Sequence, residues 1–192
     1  MNGEYIKTID LPGEGIVYGF GGKVDQIKTW FSFNNLVTPT SIYEYDILSN
    51  KSEIYTPSYS KFLSDDYIQK QEFFESKDGT MIPIFIAHKK DIQLDNRRPT
   101  LLYGYGGFNI SVKPSFQKQN TIILENNGVF AIANLRGGGE YGEKWHRDGM
   151  LLNKQNVFDD FAYFAEFLTL IFVYCSVNNK IILIIVYAIV DS

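Results

Sequence analysis

The sequence is short of cysteine, histidine and surplus positive charge, and each shortage removes a class of function. Cys175 is the single cysteine, so no intramolecular disulfide framework is available. A reducing compartment suits such a chain. His88 and His146 are the two histidines, and no His/Cys/Asp/Glu grouping has metal-ligand spacing, so no metal and no cofactor is expected. Eighteen Lys and Arg stand against 22 Asp and Glu, a net charge of −4, which leaves no basic footprint for nucleic acid. The two signs are interleaved, as on a solvated surface. Met1-Asn2-Gly3-Glu4 lacks the basic start and apolar core of a secretory signal, which predicts a cytoplasmic chain. The one long apolar run, Ile181 to Val190, has ten residues, half of the ~20 that span a bilayer. Joined to Phe167–Tyr174 it would reach that length, but Ser176 to Lys180 interrupt it with Asn178, Asn179 and Lys180, so a membrane anchor is the weaker reading.

What the sequence has instead is aromatic side chains. Thirteen Tyr and 15 Phe favour β-rich structure, because flat rings pack well on pleated sheets. Gly15 to Phe20, Lys28 to Phe33 and Ser41 to Asp46 read as short strands, parted by Gly21-Gly22, Asn34-Asn35, Thr38-Pro39 and Ser49-Asn50. Residues 1–66 are therefore a meander, suited to a propeller blade or a sandwich, that cannot bury its own face alone. From residue 67 the texture changes. Gln71–Glu75 and Met81–Ala87 flank Asp78-Gly79, a hairpin signal. Pro83 within the second strand points to a sheet edge. Thr100–Tyr103 and Val129–Ala133 are short apolar runs, the second suited to a parallel strand covered on both faces. Gln117–Asn126, ended by Gly128, and Val157–Leu168, capped by Asn156 with Asp159 and Asp160 in the first turn, read as helices. Alternating strand and helix opens an α/β sheet.

Two glycine-rich loops follow the two apolar strands: Tyr103-Gly104-Tyr105-Gly106-Gly107-Phe108-Asn109 and Asn134-Leu135-Arg136-Gly137-Gly138-Gly139-Glu140-Tyr141-Gly142. Ligands in open α/β sheets sit beyond the carboxyl ends of strands, where these loops emerge. Tight turns are the plainer reading of each loop on composition alone. Neither loop has the spacing of a phosphate-binding motif.

These loops, with Ser76–Pro83, Ile86–Lys90, Asn153–Asn156 and Phe158–Phe161, resemble the first half of the prolyl oligopeptidase catalytic domain. Upstream, the meander is similar to the last part of that family's propeller, and the likeness covers roughly residues 11 to 168. The fold class so implied is α/β: the N-terminal half of an α/β-hydrolase domain (residues 67–168), preceded by the last strands of a β-propeller (1–66) and followed by a divergent apolar tail (169–192), an incomplete fold. By resemblance Tyr105 contributes its hydroxyl to the oxyanion hole and Phe108 lines the pocket for a proline ring. Core packing for Phe108 and a buried phenol for Tyr105 are what the residues suggest without the family. Arg136 and Glu140 are expected to anchor the loop, and neither histidine matches the family's catalytic one. Short proline-containing peptides are the implied partners, with no nucleic acid and no specific protein partner.

The triad is missing from these residues. A hydrolase nucleophile stands on a Gly-x-Ser-x-Gly turn, and no glycine follows Gly149. Ser192 ends an apolar strand-like run at about the right distance but lacks the flanking glycines, so it is rejected as a nucleophile. The expectation is a fragment of a serine endopeptidase, inactive alone, with a non-catalytic peptide-binding module as the alternative. The Ile/Asn/Tyr/Lys-rich tail reads as translated intron or frameshifted sequence.

Overall fold

The computed structural model describes Tyr5 and residues 7–92, 98–171 and 182–186, with only the backbone considered for 169–171 and 182–186. Cys175, Ser192 and most of the apolar tail lie outside the described residues. Four antiparallel strands come first: β1 (Ile16–Gly21), β2 (Lys28–Asn34), β3 (Ser41–Asp46) and β4 (Lys51–Thr56), paired in chain order. Alternation decides their faces. Phe31, Phe33 and Tyr45 point to the buried side, and Phe31 stacks on Tyr43 with ring centroids 5.2 Å apart. Trp30 stands on the other face, half-exposed, against Tyr55.

A second sheet has five strands: β5 (Tyr67–Glu75), β6 (Met81–Lys89), β7 (Thr100–Gly104), β8 (Val129–Ala133) and β9 (Ile182–Val186), in the order β5-β6-β8-β7-β9. The predicted hairpin forms, with Gly79 at φ +83° and Ser76 N–H donating to the Thr80 carbonyl. β8 is buried along its whole length, parallel to β7 and antiparallel to β6. Pro83 does not lie on an edge strand, because β6 has neighbours on both sides. Its missing N–H is harmless for another reason: the β6–β8 register begins one residue on, at Ile84↔Ala133. The Pro83 carbonyl still accepts the Asn134 N–H at 3.0 Å.

The first predicted helix starts as a 3₁₀ turn (Lys118–Asn120) and continues as α1 (Thr121–Glu125). Asn127, not Gly128, takes the left-handed conformation at its end (φ +56°). Gly128 is needed for space, since a Cβ there would sit 2.7 Å from the Pro99 carbonyl oxygen. After α2 (Glu143–Arg147), α3 spans Lys154–Ile171. Asn156 is therefore inside the helix rather than its cap, and its amide donates to the Asp148 carbonyl. Asp159 and Asp160 are not in the first turn, so the helix dipole does not explain them. Val157, Phe161, Phe164 and Leu168 of α3 cover one face of the sheet with Ile82, Ile84, Leu102 and Ala131. The opposite face carries Ala87, Phe130 and Ile132, packed against α1's Leu124. Leu36 and Val37, from the β2–β3 loop of the first sheet, are buried in that same cluster. Gln69 fixes the junction: its Oε1 accepts the Leu36 N–H and its Nε2 donates to the Glu14 carbonyl.

Candidate functional site

β7 and β8 run in parallel and end in step at Gly104↔Ala133, so both glycine loops leave the same end of the sheet. They interlock. Gly106 has φ +61° and lies where a Cβ would be 2.9 Å from the Arg136 carbonyl oxygen; Gly137 has φ +89° and would meet the Gly106 oxygen at 2.6 Å. Only glycine suits either position, for conformation and for space. The Gly137 carbonyl accepts the Asn109 N–H at 3.1 Å, and His146 Nδ1 lies 2.7 Å from the same oxygen. The buried Lys154 amine donates to the Gly106 carbonyl at 2.8 Å.

Phe108 and Asn109 are both left-handed, at φ +51° and +55°. Such a conformation is uncommon for a bulky residue and persists only where surroundings enforce it. Here the enforcing contacts are the Asn109–Gly137 bond and the Ile110 N–H to the Gly107 carbonyl. The turn leaves Phe108 half-exposed rather than in the core. Tyr105 is partly buried, and its hydroxyl makes no hydrogen bond to a described residue. The two residues thus share one loop on the open end of the sheet. Two cavities of about 500 and 620 Å³ lie elsewhere, and neither is lined by Tyr105 or Phe108.

Arg136 holds the second loop in place from below. Its Nε and Nη2 donate to Asp160 at 2.9 and 2.6 Å, and its Nη1 donates to Asp78 at 2.5 Å. Ser76 Oγ donates to Asp160 at 2.5 Å. One guanidinium therefore joins the β5–β6 turn, the loop after β8 and helix α3. Its bond to Asp78 holds that carboxyl down at about 2, against the effect of burial. Burial alone would lower the Arg136 guanidinium, but the bonds to Asp160 and Asp78 outweigh it and keep it above its ordinary value.

Arg136 was expected to anchor the loop, and so was Glu140, whose Oε1 accepts the Val112 N–H. The motif reading missed Asp160, Asp78 and Lys154. Asp160 had a signal: it falls between Val157 and Phe161 on the apolar face of α3, where an acid needs a partner. His88 Nδ1 lies 2.7 Å from the Lys89 carbonyl oxygen. Among the described residues, no three His, Cys, Asp or Glu side chains are placed to hold a metal ion, and no helix is long and apolar enough to cross a membrane.

Comparison with known proteins settles the ancestry of this arrangement. The model of the prolyl oligopeptidase family matches residues 114–182, past the Leu168 at which the motif resemblance stops. A prolyl endopeptidase of Elizabethkingia meningoseptica is 45% identical over 167 residues, covering 87% of this chain and 24% of the relative. The chain belongs to the prolyl oligopeptidase family. A prolyl endopeptidase of Dictyostelium discoideum is 45% identical over 172 residues, 88% of this chain and 22% of its own. A solved prolyl endopeptidase structure superposes with a TM-score of 0.78 at 42% identity, over 88% of this chain and 25% of that one. Prolyl oligopeptidase B from Galerina marginata, solved with a 35mer hydrolysis and macrocyclization substrate, gives 0.70 at 33% identity, over 82% and 23%. The chain spans about a quarter of the length of the curated relatives it matches.

Proposed function

We propose that these residues form the front of the peptidase unit of a proline-specific serine endopeptidase, and carry half of its active site. In this reading residues 1–66 are the end of a β-propeller and 67–168 the first half of an α/β-hydrolase domain, while the family match carries on to residue 182 of the tail that starts at 169. Tyr105 would aim its hydroxyl at the oxyanion that develops on the scissile carbonyl, an interaction whose loss typically costs about 10²–10³ in rate. The flat ring of Phe108 would receive the pyrrolidine of a proline, and short proline-containing peptides are the substrate class of the whole enzyme. The observation that carries the reading is the shared loop: a phenol with no hydrogen bond to a described residue, and a half-exposed aromatic on left-handed backbone, both beyond the end of β7.

Hydrolysis needs a serine activated by histidine and an orienting carboxylate. These 192 residues contain no Gly-x-Ser-x-Gly turn, and each histidine sits against a backbone carbonyl. The chain by itself is therefore read as inactive. Incubation with a serine-directed fluorophosphonate should leave the purified 192-residue chain unlabelled; stoichiometric labelling overturns that statement. The exposed Phe108 also favours a second reading, a non-catalytic module that binds proline-containing peptides. Shifts of the Phe108 ring resonances on adding such a peptide, without turnover, would select it.

A further inference from the structure

Val112, in the segment leaving Phe108, is held by both of its backbone polar groups. Val112 donates its N–H to Glu140 Oε1 at 2.8 Å, and its carbonyl accepts the Asn134 amide at 2.7 Å. The same amide nitrogen lies 3.2 Å from Glu140 Oε1. Glu140 and Asn134 therefore grip both backbone polar groups of a residue just beyond the exposed aromatic.

The second carboxyl oxygen is in a different position. Oε2 is buried and has no hydrogen-bond partner among the described residues. It crowds Gly138 so closely that any Cβ there would collide with it, and the Ile110 carbonyl oxygen lies 3.0 Å from that same point. Two acceptors thus border one small space. An ionised carboxylate in such a place is desolvated and faces the negative end of a carbonyl dipole, and both effects favour the protonated acid.

Among the described residues no neighbouring charge offsets this. Lys113 on the gripped segment is exposed. Arg136 in the loop is occupied by Asp78 and Asp160. On α2, Glu143 pairs with Arg147 and Lys144 with Asp148, Tyr141 is exposed, and His146 is held at the Gly137 carbonyl.

We propose that Glu140 is a positioning residue that straps the Phe108 segment in its neutral form, its Oε2 proton given to the Ile110 carbonyl, and loosens that segment when it ionises. The inference rests on the reading of Phe108 as the proline-accepting ring; Glu140 acts on that ring through Val112 and touches no substrate. Burial pushes the Glu140 carboxyl above the ordinary glutamate value, outweighing the lowering effect of the Val112 N–H, its own N–H and the Asn134 amide. A raised value means that the strap is complete below the unfolded glutamate pKa and is lost as pH rises through the folded one.

Hydrogen exchange at the Val112 amide, corrected for intrinsic rate, tests this on the 192-residue chain and on Glu140→Gln and Glu140→Ala. Wild-type protection should fall as pH rises, by about ten-fold for each unit by which the carboxyl is raised. Glu140→Gln, which mimics the neutral acid, should keep full protection at every pH, and Glu140→Ala should lack it at every pH. The proposal is overturned if Glu140→Gln titrates like wild type, or if it fails to fold. A wild-type Glu140 carboxyl carbon that titrates at or below the ordinary glutamate value overturns it as well. These outcomes need no peptide. A peptide that leaves the Phe108 resonances unmoved would sink the half-site reading and leave the strap standing.

Discussion

The two sheets solve the same problem, covering apolar strands, by opposite means. The first sheet stays local: each strand pairs with the next in the chain, its buried face is aromatic, and its charges remain at the surface, as in the Lys28–Glu44 pair. The second sheet is assembled from distant segments and places an ion pair at its heart, with Asp160 fully buried and Arg136 almost so. A buried pair is weak evidence for stability, since desolvation offsets much of its attraction. What it supplies here is geometry: Arg136 fixes a loop, a turn and a helix with one rigid fork of donors, a shape that lysine could not reproduce.

The contrast is sharpest where one partner is removed. Arg136→Ala should destabilise the second sheet by about 3–5 kcal/mol, because Asp160 is left buried and uncompensated. Urea unfolding checks the size, and amide exchange checks the place: β8 should lose protection before β2. Equal losses in both sheets would erase the distinction.

Leu36→Ala probes the seam between them. Leu36 belongs to the first sheet by sequence and to the second by packing, so its truncation should cost about 2–5 kcal/mol. Fluorescence of Trp30 and Trp145, one on each side, should then report separate transitions in place of one. A single unchanged transition would show that the loop is not the coupling element.

The smallest effect is expected in acid. Asp78 has its carboxyl held at about 2 by Arg136, below an unfolded value near 3.9. A lowered value contributes stability that is present above the unfolded pKa and lost as pH falls through the folded one, so the window runs from about pH 4 to 2. The side chain is 47% exposed, and solvent screening keeps the contribution modest. Asp78→Asn should flatten the stability profile in that window while leaving the first sheet's response unchanged.

Local features are legible in the sequence. The β5–β6 hairpin follows from Asp78-Gly79, which supplies the positive φ of the turn, and β2 and β3 follow from the alternation of large apolar and polar residues. The site loops were legible too, because Gly106 and Gly137 are where the chain must turn left-handed against a neighbour. Asn156 misled for the reverse reason: it has the chemistry of a helix cap, but Lys154, held by the Gly106 carbonyl 48 positions away, is already helical. Pro83 misled likewise, since whether a missing N–H matters depends on where a neighbouring strand begins to pair.

The amino-acid order by itself determined most of the strands, the hairpin, the two glycine loops and the family to which they point. Those depend on side-chain alternation, backbone freedom and spacing, all of which act over a few residues. Tertiary structure alone decided that β6 is an inner strand, that Leu36 belongs to the second core, and that Asp160 answers Arg136. It also decided that Glu140 turns one oxygen toward Val112 and leaves the other without a donor. These are contacts between segments far apart in sequence, fixed by which buried groups can satisfy one another once the chain has closed around them.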